Sequence, residues 1–227
     1  MLVRPSEKLS GNFVDEATCR KLLEEPLDHD LLDLLRRDVV EGAQRLLGSH
    51  LVLGALRAAI VETEAYRASD DPASHAYRGM TRRNQVMFEE PGHAYVYFNY
   101  GCHWMLNITA HDHGDAAGVL IRAAQPLEGL EEMVKLRGTR LRRVTDRGLL
   151  SGPGKLTQAF GISGSVNGLF LFDRQAPLHI EAQQDPRPFV ARPRVGIAKG
   201  KGDEIEWRFV DSTKLEWASS PKPKISL

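Results

Sequence analysis

The sequence predicts an α+β fold, a single domain over residues 1–227 in which helices flank a curved, mainly antiparallel sheet. Three observations lead there. Strand-like and helix-like pieces are interleaved without the regular βαβ alternation of a parallel sheet. Neighbouring strand patterns are joined by short turns, one near Gly54 and one at the polar run HDHGD (111–115), as antiparallel neighbours are. At 227 residues and 42% hydrophobic content the chain can bury one sizeable core but hardly two.

The elements follow in order. Residues 1–12 read as a flexible arm and Asp15–Glu25 as a short helix. Over residues 28–47, Leu31, Leu32, Leu34, Leu35, Val39, Ala43, Leu46 and Leu47 recur at helical spacing, and Gly48 supplies a stop, which predicts one long amphipathic helix. LVLGALRAAIVET is a strand pair turning near Gly54 and leading into Glu62 and Glu64. Residues 67–92 are rich in breakers and read as loop. HAYVYFNYG alternates as a strand with Tyr95, Tyr97 and Asn99 on one face, which leaves Tyr100 at a bend beside Gly101. HWMLNITA and AGVLIRAA are two further strands. Pro126–Leu136 reads as a helix after a proline start, and it runs into a basic stretch from Lys135 to Arg147. Gly152–Phe160 reads as a short helix with exposed N-terminal amides. LFLFD, LHIEA, RVGIA and EWRFVD are strand-like pieces, and residues 218–227 a loose end.

Composition narrows the function classes. No apolar run approaches the ~18–20 residues that span a bilayer, and MLVRPSEKLS lacks a signal-peptide core, so a soluble intracellular protein is expected. Two cysteines, Cys19 and Cys102, suit a reducing compartment and supply neither a disulfide framework nor a Cys-based zinc site. With 30 basic and 30 acidic residues, any polyanion must be met by a local basic face rather than by the field of the whole protein.

Several motif readings compete. SGPGKL lacks the first Gly of a phosphate loop and has Leu156 where magnesium binding needs Ser or Thr. His75, His93, His103, His111 and His113 fit no zinc-ligand spacing, and the HDH turn reads as a solvated loop. Cys102, within an aromatic strand, reads as a small core residue. Strand alternation puts Glu62 and Glu64 on one face among Val61, Ala65 and Tyr66. A buried carboxylate costs several kcal/mol unless it is paired or put to use. Glu64 is therefore either catalytic or the structural partner of an arginine such as Arg122. Tyr66, His75, Tyr95, Tyr97 and Tyr100 could pack a core, or line a pocket that stacks a flat, electron-poor ligand.

VETEAY, His75 eleven residues beyond Glu64, TRRNQVMF, PGHAYVYFNYG, MLNI, VLIRAAQPLEG, SGPGKL and ARPRVGI are collinear. Together, over about residues 28–217, they resemble the alkyladenine (3-methyladenine) DNA glycosylase family. The resemblance implies a mixed α/β domain with a positively charged DNA face, acting as a monomer on damaged double-stranded DNA. Its function would be base-excision repair: an alkylated or deaminated purine is flipped out of the duplex and its N-glycosidic bond hydrolysed, leaving an abasic site. Glu64 matches the general base. Arg122 matches the arginine that holds the water and the flipped nucleotide's phosphate, and Val195 a residue whose carbonyl touches that water. Tyr66, His75 and Tyr97 match the residues that sandwich the base, and Asn107 the residue that rejects guanine through its 2-amino group. Tyr100 matches the wedge, and Thr81, Arg83, Met87 and Lys155 fall in the motifs that meet DNA. No metal and no cofactor is implied. The location implied is the cytoplasm or nucleoid of a bacterium, or the nucleus of a eukaryote.

The residue types agree with that chemistry. A cationic alkylpurine is attracted to tyrosine and histidine faces, and one glutamate can both activate water and stabilise an oxocarbenium-like transition state. The chain departs from the family where Cys102, His103 and Trp104 follow the wedge in place of bulky apolar residues. A catalytically silent nucleic-acid-binding module and a metal-dependent hydrolase are the alternatives from other classes; Glu64 and Arg122 together argue against the first, and a metal analysis separates the second.

Overall fold

Strand β2 (Leu56–Tyr66) organises the molecule, because its two edges serve three partners. One edge pairs antiparallel with β5 (Asp115–Glu128), from Arg57 opposite Glu128 to Tyr66 opposite Gly118. The other edge is divided between β1 (His50–Leu53), which meets residues 56–59, and β8 (Arg208–Asp211), which meets residues 62–64. The register with β5 slips on either side of Glu62, and such bulges bend a strand and sharpen its twist. That bend lets a second strand take over the edge. The computed structural model describes residues 27–68, 70–112, 114–138 and 146–221. Within them the sheet has eight strands in the order β3-β4-β5-β2-β1-β6, with β7 paired to β8. Here β3 is Ala94–Asn99, β4 His103–Asp112, β6 Leu178–Glu181 and β7 Phe189–Arg192. All these pairings are antiparallel and the sheet curls, as the predicted α+β class requires.

Helices α1 (Leu27–Arg37) and α2 (Val39–Arg45) cover one face. Leu31, Leu35, Val39, Ala43, Leu46 and Leu47 are fully buried there with Leu51, Ile60, Ile108 and Ile121. Each leucine, isoleucine or valine among them contributes about 1.5–3 kcal/mol through removal from water. The two helices approach closely at Gly42, where a Cβ would lie 2.8 Å from the Leu35 side chain. Beyond β5 come α3 (Leu130–Leu136), α4 (Asp146–Leu149) and α5 (Pro153–Phe160). Helix α5 lays Leu156, Ala159 and Phe160 against β4 and β5 and ends at Gly161, φ 65°.

The structure differs from expectation at several points. The helix expected over 28–47 is two, because Asp38 is extended (φ −148°, ψ 105°) and accepts hydrogen bonds from the N–H groups of Val40 and Glu41. Pro126 does not start a helix. It lies in β5 opposite Ala58, at a register shift that tolerates a missing N–H, and α3 begins only after Gly129 reverses the chain at φ 78°. The HDHGD turn is tighter than expected, since β4 runs to Asp112 and β5 starts at Asp115. Asp112 is buried and bound to Arg67 at 2.5 Å. LHIEA and EWRFVD contain β6 and β8, whereas LFLFD contributes only a bridge from Phe170 to His93 and RVGIA forms no strand. Strand β7 was not anticipated. Cys102 is exposed in the turn after β3, not in the core. The expected loose end is packed at its start, for Ala218 and Ser219 are buried. The arm 1–12, the helix Asp15–Glu25, residues 139–145 of the basic stretch and residues 222–227 lie outside the described residues.

Candidate active site

Both acidic residues of VETEAY are completely buried, on the stretch of β2 where β5 and β8 flank it. They are bound differently. Glu62 Oε1 accepts from Arg122 Nε (3.1 Å), Arg208 Nε (2.6 Å) and Ser219 Oγ (2.9 Å), and Oε2 from the Ser219 N–H (2.6 Å). Three of those donors crowd Oε1, beyond the two acceptor positions of one oxygen, and one meets Oε2. Glu64 Oε2 accepts from the Tyr66 hydroxyl (2.8 Å) and Arg122 Nη1 (3.2 Å), and Oε1 from the Val195 N–H (2.7 Å). By the same reckoning Glu64 can accept one further donor on Oε1. The two carboxylates differ in what holds them: Glu62 is bound by two arginines and by Ser219, and Glu64 by Tyr66, Arg122 and Val195.

Arg122 reaches both because of a bulge. Glu62 is opposite Ala123 and Thr63 opposite Ile121, so Arg122 is the extra residue on β5, and a bulge re-aims a side chain in this way. Burial disfavours charge on its guanidinium, but Glu64 and Glu62 outweigh that and raise its pKa above the ordinary value. Burial, with Glu64 beside it, lifts the Tyr66 hydroxyl well above the usual tyrosine range, so Tyr66 remains a neutral donor to Glu64.

Tyr66, Arg122 and Val195 form the Glu64 end of a cavity of about 340 Å³. Met87, Leu120 and Asn107 lie in its buried depth, and Tyr100 stands at its mouth. His75 and Tyr97 meet edge to face with ring centroids 4.6 Å apart, and His75 Nδ1 lies 2.9 Å from the Tyr95 hydroxyl. No ring fits between His75 and Tyr97. They make one wall together, and Tyr66 lines the same cavity. Burial raises the Tyr95 and Tyr97 hydroxyls to about 12. Partial desolvation, then the charge of Arg83, lowers His75 below its usual value, which leaves its ring neutral near pH 7.

The remaining expected residues divide. Tyr100 has φ 51° and is 85% exposed in the turn between β3 and β4, so the bend puts it in solvent. Thr81, Arg83 and Lys155 are exposed as well. Arg83 lies 5.2 Å over the Tyr97 ring and donates to the Phe98 carbonyl at 3.2 Å, Thr81 bonds Asn84, and Lys155 reaches Ser151 Oγ at 3.4 Å. Met87 does not belong with them, because it is buried beneath Tyr95 and faces the cavity. Asn107 lines the cavity and donates Nδ2 to the Tyr95 carbonyl at 3.0 Å, so it also braces the β3–β4 pair. Val195 meets Glu64 through its N–H, a contact additional to the carbonyl role that the resemblance implies.

Four residues of the site escaped the sequence reading. Arg194 pairs with Asp71 at 2.5 and 2.8 Å and stacks 4.7 Å over Tyr66, holding that wall from behind. Arg208 and Ser219 bind Glu62. The arginines left a signal, as cations inside apolar strand-like runs, and Ser219 left none. Among the described residues no group of three or more His, Cys, Asp or Glu could hold a metal ion, and no helix is long and apolar enough to cross a membrane.

Known proteins are similar to this chain over most of its length. The family model described as methylpurine-DNA glycosylase (MPG) matches residues 33–214. A protein of Nitrosospira multiformis named "Putative 3-methyladenine DNA glycosylase" is 46% identical over 170 residues, 75% of this chain and 83% of its own. Proteins of the same name from Chlorobaculum parvum (45% over 198 residues, 82% and 90%) and Rhodopseudomonas palustris (47% over 173 residues, 76% and 80%) are similar to it too. The chain belongs to the methylpurine-DNA glycosylase family and is a DNA N-glycosylase of base-excision repair, hydrolysing N-glycosyl bonds.

Proposed function

We propose that the protein flips an alkylated or deaminated purine, of the 3-methyladenine, 7-methylguanine or hypoxanthine type, out of duplex DNA and hydrolyses its bond to the sugar with a water activated by Glu64. The supporting observation is the contrast between two buried carboxylates, of which only Glu64 has all its partners, Tyr66, Arg122 and Val195, on the lining of the aromatic cavity, with an acceptor position left on Oε1. The water donates to Oε1 and attacks C1′, and Glu64 takes its proton. The C1′–N bond breaks with its electron pair leaving on the base, which departs neutral when the alkylated purine was cationic and, when the purine was neutral as hypoxanthine is, departs as an anion that takes a proton from solvent. The Glu64 charge also stabilises the oxocarbenium character that develops on the sugar.

The base lies between Tyr66 and the His75–Tyr97 wall. A cationic purine is attracted to these faces, while a neutral His75 offers it no repulsion. Flipping costs a few kcal/mol, least at damaged or mispaired bases, and Tyr100 fills the gap in the stack. Arg83, Thr81 and Lys155 meet the backbone from outside the cavity, and Met87 acts from within it. The chain works as a single-domain monomer inside the cell, without metal or cofactor, and forms no covalent link to DNA.

Incubation with a methylated duplex and with a hypoxanthine-containing duplex tests this. Free alkylpurine and free hypoxanthine should appear, leaving intact abasic strands, at the same rate in EDTA. Loss of activity in EDTA, a borohydride-trapped protein–DNA adduct, or no released base from either duplex would contradict it.

A further inference from the structure

We propose that Ser219 is a positioning residue of the reaction, acting through Arg122. This inference rests on the reading of Glu64 as general base and adds to it a contribution from the segment after β8. Ser219 lies beyond residue 214, where the match to the family model ends. It is nevertheless 2% exposed and sits among the charges behind the cavity.

The geometry gives its hydroxyl two bonds of opposite sense. Oγ donates its one proton to Glu62 Oε1 at 2.9 Å and accepts from Arg122 Nη2 at 3.1 Å. Arg122 is thus held at three corners: Nε on Glu62, Nη2 on Ser219 and Nη1 on Glu64. The first two fix the plane of the guanidinium, and that plane sets where Nη1 meets Glu64. Without the hydroxyl, Nη2 loses its partner, and the bond of Nε to Glu62 is left to hold the plane against which Nη1 meets Glu64. A backbone clamp holds Ser219 in place, for Arg208 Nη2 donates to the carbonyls of Ser219 (3.3 Å) and Pro221 (2.7 Å) while Arg208 Nε binds Glu62. The Ser219 N–H bond to Glu62 Oε2 does not involve the side chain and survives its truncation.

Since Ser219 touches neither the cavity nor DNA in this account, its loss should act on the chemical step and leave lesion binding alone. In single-turnover release of hypoxanthine from duplex DNA, Ser219→Ala should slow the rate at saturating protein about 10-fold, with the half-saturating concentration within about two-fold of the parent. Ser219→Thr keeps the hydroxyl and should be faster than Ser219→Ala. A parental rate in a folded Ser219→Ala, whatever its thermal midpoint, would overturn the proposal, as would a Ser219→Thr no faster than Ser219→Ala. Should Ser219→Ala not fold, Ser219→Cys takes its place: slowing at unchanged half-saturation supports the role, and a parental rate overturns it. Glu64→Gln measured alongside separates the two readings. Full activity there removes the general base itself, whereas an inactive Glu64→Gln beside a parental Ser219→Ala removes only the role of Ser219.

Discussion

Asn107 holds two jobs at once, a bond to the Tyr95 carbonyl and a place on the cavity lining. Replacing it by Ala or Ser should therefore lower stability by about 1 kcal/mol through the lost hydrogen bond. If its amide also excludes the guanine 2-amino group, the same variants release guanine-type bases faster relative to hypoxanthine. Competition between duplexes that differ only in the target base measures this, and an unchanged ratio with reduced stability would leave Asn107 a bracket alone. Tyr100 is simpler, since an 85% exposed ring contributes little to the core. Tyr100→Ala should weaken binding to lesion duplex by about 1–3 kcal/mol, the scale of a lost base stack, while thermal stability barely moves. Equal affinity of variant and parent would make the wedge role untenable. For His75, the lowered pKa sets the sign of a pH effect. Its ring gains a proton only as pH falls below the ordinary value of about 6.5, and a charged ring repels a cationic purine. Release of 7-methylguanine should drop on acidification more than it does in His75→Gln, and parallel profiles would exclude the stacking role.

At the scale of elements, the capping of α2 offers a change that should spare activity. Asp38→Ala removes the acceptor for two N–H groups and should cost about 1 kcal/mol in denaturant unfolding, with base release unchanged. A loss of activity out of proportion to stability would show that α2 helps to set β2, which it touches through the Thr63 hydroxyl bond to the Ala43 carbonyl. That cap also shows where the sequence was readable and underused. Asp38 and Glu41 have capping-box spacing, but an unbroken leucine stripe argued for one helix. The β1–β2 turn at Gly54, the bend at Tyr100 and helix α5 were legible because glycine or proline marks each locally. Pro126 misled for the converse reason, as its tolerance inside β5 depends on a register shift in β2 that only the assembled sheet provides. The site divides along the same line. Glu64, Tyr66, His75 and Tyr97 lie in dense local motifs. The aim of Arg122 comes from a bulge, and the binding of Glu62 by Ser219 joins residues 157 positions apart, a pairing no local pattern carries.

At the scale of the molecule, a net charge of zero means that affinity for DNA must come from a few local contacts. Lesion-duplex binding should weaken with salt, and Lys155→Ala should reduce the slope of log affinity against log salt by about 0.9 if Lys155 neutralises one phosphate. An unchanged slope would take Lys155 off the DNA face. The central claim is narrower than DNA binding, and it concerns which of two buried carboxylates activates water. Glu62 has four donors and Glu64 three, and the three partners of Glu64 all line the aromatic cavity. The most direct test is single-turnover base release by Glu64→Gln, with binding of the same lesion duplex measured in parallel. The account predicts release slowed by at least ~100-fold, the scale of a lost general base, with lesion binding largely retained. Full activity in Glu64→Gln would contradict it, and would make Glu62 the candidate.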